Sequence, residues 1–396
     1  MKLNREVLIA SAVRTPIGKF GGRLASLPAA DLGVTAVTAA IERAGIPAAS
    51  VGEVIIGMAR QAGNGPNPAR QVSVRAGIGE AIPAYTVNKA CGSGLKSIML
   101  GCNEIVLGQA DTIVAGGIES MSRVPYLVEN ARWGVRLGHQ ELTDGMYRDG
   151  FFCPLAEMVM GETAERLADI HGISREEQDA FALESQRRAG AARSSGRFAA
   201  EIVPVDLPHG KGRKPQLEHD EHVRGEVSPE DLKKLKPVFR KDGTVTAGNA
   251  SGITDGAAAT VLVSREAAKR QKLEPLGRIL AYTVAGVDPK IMGIGPVPAV
   301  RTLLAETGMS LDDFGLVELN EAFAAQVLAC LGELPIDRSR LNVNGGAIAL
   351  GHPIGCTGTR IVTTLIHEMH RRNERYGLAT LCISGGMGIA MAIEKL

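Results

Sequence analysis

The last third of this 396-residue chain repeats its first third. GLVELNEAF (315–323) matches VGEVIIGMA (51–59), and GLATLCISGG (377–386) matches DTIVAGGIES (111–120). Between them, RLNVNGGAIALGHPIGCTG (340–358) with Ile361, Val362, Leu365 and Ile366 matches AYTVNKACGSG (84–94) with a helical face of Leu95, Ile98, Met99, Cys102, Ile105 and Val106. Each copy alternates strand-like runs with a helical period. Two long copies call for two similar α/β units packed together, not a solenoid of short repeats. The interface between such units is a favoured place for a binding site.

The rest of the chain fits around that repeat. EVLIASAVRT (6–15) reads as a strand, and residues 31–44 as a helix ending near Gly45. The stretch from about 122 to 244 is helical and polar with few strands. Within it, Ser174 and Glu177 form a capping box opening a helix through Gln186. Residues 207–237 are rich in charge, Gly and Pro and read as a surface excursion.

Composition narrows the function. Lys and Arg total 44 against 43 Asp and Glu, so charge offers nothing to nucleic acid or an anionic membrane. No apolar run is long enough to span a bilayer, and the start lacks a signal-peptide or transit-peptide pattern. Six cysteines (Cys91, Cys102, Cys153, Cys330, Cys356, Cys382) form no C-x-x-C pair and no ligand spacing with the eight histidines. Free thiols in a reducing cytoplasm, with no structural metal, are the expectation.

Five places carry chemistry. Cys91 sits in a glycine turn between a strand and a helix, where the helix dipole favours a thiolate. His352, fixed by Pro353, precedes another helix whose dipole disfavours imidazolium and keeps a neutral base. Asn320 and Glu321 end an apolar strand, where an Asn can hold water or a substrate oxygen. Ser251 lies in a small-residue run (TAGNASG) that lets a ligand lie against backbone. Cys382 adds a second thiol ahead of Ser384 and two glycines. Taken singly, each has a structural explanation: close packing, a helix cap or turn bonding. Together, two thiols and a neutral histidine suit a thioester substrate, one thiol accepting an acyl group and the other moving a proton at carbon.

The ordered set RTPIGKFGG, NKACGSGLKS, MGETAE, GTVTAGNASGITDGAAA, NEAFAAQ, NGGAIALGHPIGCTG and CISGGMG resembles the thiolase family along the whole chain. That resemblance implies an α/β fold of two similar βαβαβαββ halves in five αβαβα layers. The N-terminal half would span 1–121, completed by about 245–270. A loop domain over the site would span 122–244, and the C-terminal half 271–396.

It also implies roles. Cys91 is the acyl-accepting nucleophile and His352 its base. Cys382 is the acid/base at the α-carbon. Asn320 holds a water that forms one oxyanion hole with His352, and the N–H groups of Cys91 and Ser384 form the other. Ser251, Met160, Arg224, Phe239, Ala247, Ala322 and Phe323 fall at coenzyme A contacts. Coenzyme A is then a co-substrate with no metal or redox cofactor, acyl-CoA thioesters are the partners, and the chain forms a homodimer or a homotetramer (dimer of dimers).

The implied activity is reversible cleavage of 3-ketoacyl-CoA, acetoacetyl-CoA first, or condensation of two acetyl-CoA. The alternatives are a longer-chain degradative thiolase, a decarboxylating condensing enzyme and a non-catalytic acyl-CoA or lipid binder. Three departures from the family pattern stand out: Ser384 where C-x-G has glycine, Val159 where H-M-G has histidine, and GITDG for GINDG. A positive φ at Ser384 would make the first costly.

Overall fold

The computed structural model describes residues 2–208 and 216–396. Nine strands carry the architecture: β1 (Lys2–Arg14), β2 (Glu53–Gly57), β3 (Ala84–Val87), β4 (Thr112–Ser120), β5 (Thr254–Ser264), β6 (Gly277–Gly286), β7 (Leu316–Leu319), β8 (Tyr376–Ile383) and β9 (Met387–Lys395). Their order is β7-β8-β9-β6-β1-β5-β4-β2-β3, with a two-residue strand at Gly18–Lys19 against β5. The two copies of the repeat are visible in that order. Numbering strands within each half, the N-terminal half runs 3-2-4-5-1 (β3-β2-β4-β5-β1). The C-terminal half runs 2-4-5-1 (β7-β8-β9-β6), and its third strand has shrunk to the single parallel bridge Val317–Leu341. The first strands of the halves, β1 and β6, pair antiparallel and join the sheets edge to edge.

Alternation along the strands makes the layers. Val54, Ile56, Val114, Ala259 and Val261 point one way and bury helix α1 (Ala29–Ala44) through Val37, Ala40 and Ile41. Their neighbours Ile55, Ile113, Ala115 and Leu262 point the other way, into a central layer. That layer holds two helices, α2 (Ser93–Val106) and α6 (Ile354–Arg372), under Leu381, Ile383, Ile389 and Met391 of the other half. Leu378, Ala390 and Ala392 face outward and bury α4 (Pro296–Thr307) and α5 (Ala324–Glu333). The result is helix, sheet, helix pair, sheet, helix.

Helices α2 and α6 approach to backbone contact. A Cβ on Gly358 would sit 2.2 Å from the Leu95 nitrogen, and one on Gly94 2.8 Å from the Gly355 oxygen. Thr359 Oγ1 donates to Gly94 O at 2.9 Å across the same seam. The close contact brings the N-termini of both helices, and therefore Cys91 and His352, to one end of the central layer.

Residues 122–244 contain only two-residue strands among the described residues. Helix α3 (Arg175–Ser194) opens on the expected Ser174/Glu177 box, with Glu177 N donating to Ser174 Oγ at 3.2 Å. It runs eight residues past Gln186. Ala189 and Ala192 are buried against Ile17, Phe198, Ala349 and Leu350, so tertiary packing carries the helix through a glycine-containing stretch. Of the expected surface excursion, 209–215 lie outside the described residues.

This segment is tied to the sheets by a buried ionic cluster. Arg14 donates from Nε to Glu201 at 2.6 Å and from Nη1 and Nη2 to Asp220 at 2.7 and 3.0 Å. Burial disfavours the Arg14 charge, but the two carboxylates hold it protonated, above the ordinary arginine range.

Candidate active site

Cys91 sits in a strained turn after β3. Ala90 has φ +44°, a conformation L-residues other than Gly, Asn and Asp seldom adopt. Ser93 holds it there: its hydroxyl donates to Ala90 O at 2.6 Å and accepts Lys89 N at 2.8 Å. Asn88 Oδ1 accepts Ala90 N at 2.9 Å. The turn delivers the half-buried Cys91 to the mouth of α2. Burial pushes its thiol pKa up. The Ser384 N–H, the Arg60 charge and its own N–H pull it back toward thiolate.

His352 precedes α6 and is buried. Its Nδ1 lies 2.7 Å from Thr357 Oγ1, and that hydroxyl donates its single proton to Pro353 O at 3.0 Å. Nδ1 must therefore be the donor to Thr357, which leaves the lone pair on Nε2. Nε2 has no hydrogen-bond partner among the described residues. Burial, then the Arg360 and Arg60 charges, push the pKa down from 6.5 to about 3. The imidazole is neutral at physiological pH, with its basic nitrogen free.

Cys382 ends β8 and is fully buried. Burial first, then neighbouring Cys91 and Cys330, raise its pKa well above the ordinary thiol value. It stays a neutral thiol, able to give a proton. Asn320 follows β7, anchored by Asn320 N donating to Thr380 O at 3.0 Å. It is 1% exposed, yet neither Oδ1 nor Nδ2 has a partner among the described residues. Two orphaned buried polar atoms on one side chain call for a water or ligand. Glu321 is different. It accepts Ser185 Oγ at 2.6 Å, Asn342 Nδ2 at 2.9 Å and Ile348 N at 3.2 Å, and so pins the 342–348 loop in place.

Cys91, His352, Cys382 and Ser384 line one cavity of about 400 Å³, together with Ser251, Met160, Arg224, Phe239, Ala247, Ala322 and Phe323. Asn320 is not part of the lining. The walls are built by small residues. A Cβ on Gly161 would lie 2.2 Å from the Phe239 ring, which meets Phe323 edge-on at 6.2 Å. Thr246 N donates to Asn249 Oδ1 at 2.8 Å and Asn249 Nδ2 to Asp179 at 2.9 Å, while Ser251 N donates to Ala322 O at 3.0 Å. That network holds the TAGNASG loop across the cavity. Ser384 lies outside the positive-φ region, which falls instead on Gly385 and Gly386 at +85° each. The serine fits this backbone and keeps its N–H toward Cys91. Val159 takes its place in the lining as an apolar wall.

The motifs did not single out His222, Arg60, Tyr147 or Phe151, which also line the cavity. His222 Nδ1 lies 3.0 Å from Ala349 O, and burial lowers its pKa. Its ring covers Gly252, whose Cβ would come within 2.1 Å of Nε2. Arg60 had one signal in the sequence: it follows VGEVIIGMA, the counterpart of the strand that delivers Asn320. Among the described residues, no group of three His, Cys, Asp or Glu could hold a metal, and no helix is long and apolar enough to cross a membrane.

Comparison with known proteins gives the family of the chain. The thiolase N-terminal domain model matches residues 7–266 and the thiolase C-terminal domain model residues 273–395. An acetyl-CoA acetyltransferase of Escherichia coli is 53% identical over 393 residues, 99% of this chain and 100% of that protein. The crystal structure of the Bacillus anthracis acetyl-CoA acetyltransferase superposes with a TM-score of 0.97 at 46% identity, covering 100% of both chains. Human mitochondrial 3-ketoacyl-CoA thiolase in complex with CoA does so at 0.96 and 45%, covering 100% of this chain and 99% of that one. The chain belongs to the thiolase family.

Proposed function

We propose that the protein is an acetyl-CoA C-acyltransferase that cleaves 3-ketoacyl-CoA with coenzyme A, acetoacetyl-CoA foremost, and runs the condensation in reverse. The observation that carries this reading is the meeting of two thiols and a neutral histidine with a free Nε2 in one cavity.

In cleavage, His352 Nε2 takes the Cys91 proton and the thiolate attacks the 3-keto carbon. The alkoxide is held by the N–H groups of Cys91 and Ser384. The C2–C3 bond breaks, leaving acyl-Cys91 and the enolate of acetyl-CoA. The enolate oxygen rests against the now protonated Nε2 and a water held by Asn320. Cys382 protonates C2, acetyl-CoA leaves, and the proton on His352 passes to the Cys382 thiolate. Coenzyme A then enters, loses its thiol proton to His352 and attacks the acyl group. Departing Cys91 recovers that proton. Ser251, Met160, Arg224, Phe239, Ala247, Ala322 and Phe323 line the path for the coenzyme A arm, under a cover formed by 122–244.

Six free thiols suit a reducing cytoplasm. A homodimer or homotetramer is the expected assembly, and the exposed Trp133 and Leu137 are apolar surface such an assembly would cover.

The test is CoA-dependent loss of the 3-keto thioester, measured on acetoacetyl-CoA and on a longer straight-chain 3-ketoacyl-CoA. Turnover of acetoacetyl-CoA supports the reading. Comparable or faster turnover of the longer chain makes the enzyme a broad degradative thiolase, a reading favoured by Val159 as an apolar wall. No turnover of either contradicts both.

A further inference from the structure

Arg60 is the unusual side chain in this cavity. Arg60, Tyr147, Gly150 and Phe151 line it, and the Cys91 thiol feels the Arg60 charge. The residue before Arg60, Ala59, packs in one apolar cluster with Cys91, Phe151 and Ile354. His222 and Arg224, in the same lining, also border surface clefts that do not include Arg60. Arg60 therefore lies near Cys91 and borders neither cleft, which suits contact with an acyl group on Cys91 rather than with the coenzyme A arm.

Its guanidinium touches no carboxylate among the described residues. Arg60 is 6% exposed, and Nε has no hydrogen-bond partner among the described residues. No ion pair engages its guanidinium among the described residues. Glu119, the carboxylate whose charge it feels, spends its oxygens on backbone: Oε2 accepts Ala59 N at 3.0 Å and Gly355 N at 2.9 Å, and Oε1 accepts Arg60 N at 3.1 Å. The guanidinium packs instead on Gly150, where a Cβ would lie 2.5 Å from Nε and from Nη2. Buried guanidinium groups are normally paired, because desolvating an uncompensated charge is costly. A planar fork of free N–H donors is matched by a carboxylate.

We propose that Arg60 is a specificity residue that pairs with a carboxylate at the far end of the acyl group on Cys91, so that among substrates longer than acetoacetyl-CoA the 3-ketoacyl-CoA thioesters of dicarboxylic acids are favoured over uncharged chains of the same length. This rests on the thiolase reading above. It adds one requirement: the acyl product leaves as the CoA thioester of a diacid shortened by two carbons.

The test compares three substrates on the full-length wild-type enzyme: acetoacetyl-CoA, 3-ketohexanoyl-CoA and the 3-ketoacyl-CoA of the six-carbon dicarboxylic acid. The two six-carbon substrates differ in the terminal carboxylate. The inference expects kcat/KM for the diacid thioester to exceed that for 3-ketohexanoyl-CoA by roughly 10- to 100-fold, the range of a charge-assisted hydrogen bond. In Arg60→Leu that ratio falls to about one, with the loss concentrated in KM for the diacid substrate. A wild-type enzyme that cleaves acetoacetyl-CoA but shows no preference for the diacid overturns the inference and leaves the thiolase reading standing. A variant that loses both six-carbon substrates equally also overturns it, because Arg60 then acts on Cys91 rather than on the acyl tail. Inactivity on all three contradicts the thiolase reading and the inference together.

Discussion

Ser384 shows how one backbone angle decides whether a substitution matters. The residue contributes an N–H toward Cys91, and its φ lies outside the region that demands glycine. Ser384→Gly should therefore change stability by no more than about 0.5 kcal/mol and leave kcat near wild type. Ser384→Pro deletes the donor and should lower kcat roughly 100- to 1000-fold, as loss of an oxyanion-hole hydrogen bond does. Steady-state cleavage of acetoacetyl-CoA reads both. His352 makes a prediction about pH. Its folded pKa is depressed from 6.5 to about 3, so between those values the unfolded chain binds a proton that the folded chain does not. The stability this group contributes is present above pH 6.5 and is lost as pH falls through that window, at up to about 1.4 kcal/mol per pH unit. Urea unfolding of wild type and His352→Asn across the window should show a shallower acid slope in the variant.

The strand–helix elements explain what the sequence made legible and what it did not. Apolar runs bounded by turn residues located β1, β2, β4, β7 and β8, whose strands are buried on both faces, and the helical pattern located α1 and the buried face of α2. The internal repeat anticipated the matching strand order of the halves. Three things depended on contacts distant in sequence. The third strand of the C-terminal half survives only as the Val317–Leu341 bridge, since the 342–348 loop is held by Glu321 instead of by a ladder. Helix α3 outlasts its weak local pattern because Ala189 and Ala192 are buried by remote partners. The strain at Ala90 is set by Ser93, not by any glycine or asparagine at that position. In the site, motif residues were readable because each sits in a short string, such as GHP or NEAF, that matches a thiolase motif. Arg60, His222 and Thr357 were not, because their significance lies in what they face after folding. The α2–α6 seam gives the element-scale prediction. Gly358→Ala places a methyl 2.2 Å from the Leu95 nitrogen, where only backbone can yield. It should destabilise by about 1–3 kcal/mol or more and lower kcat as well, because the same seam sets the distance between Cys91 and His352. The urea midpoint and the cleavage rate should fall together.

Across the whole molecule, the site exists only where three parts meet. The N-terminal half supplies Cys91, the C-terminal half supplies His352, Asn320 and Cys382, and the intervening segment supplies Met160, Arg224 and Phe239. Glu119 links the first two, accepting N–H groups from Ala59 and Arg60 on one side and Gly355 on the other. The Arg14–Glu201–Asp220 cluster links the third. Two α/β halves joined through β1 and β6 set the N-termini of two helices side by side, one carrying the proposed nucleophile Cys91 and the other the proposed base His352. The central claim is that Cys91 carries the acyl group while Cys382 moves the proton at carbon. Cys382→Ala separates the two roles. Incubated with acetyl-CoA and examined by peptide mass spectrometry, the variant should still gain one acetyl group on the peptide containing Cys91. In the CoA-dependent assay it should cleave acetoacetyl-CoA at least roughly 100-fold more slowly than wild type, the usual range for loss of a positioned general acid. Wild-type cleavage by Cys382→Ala, or an acetyl group found on a residue other than Cys91, would contradict the account.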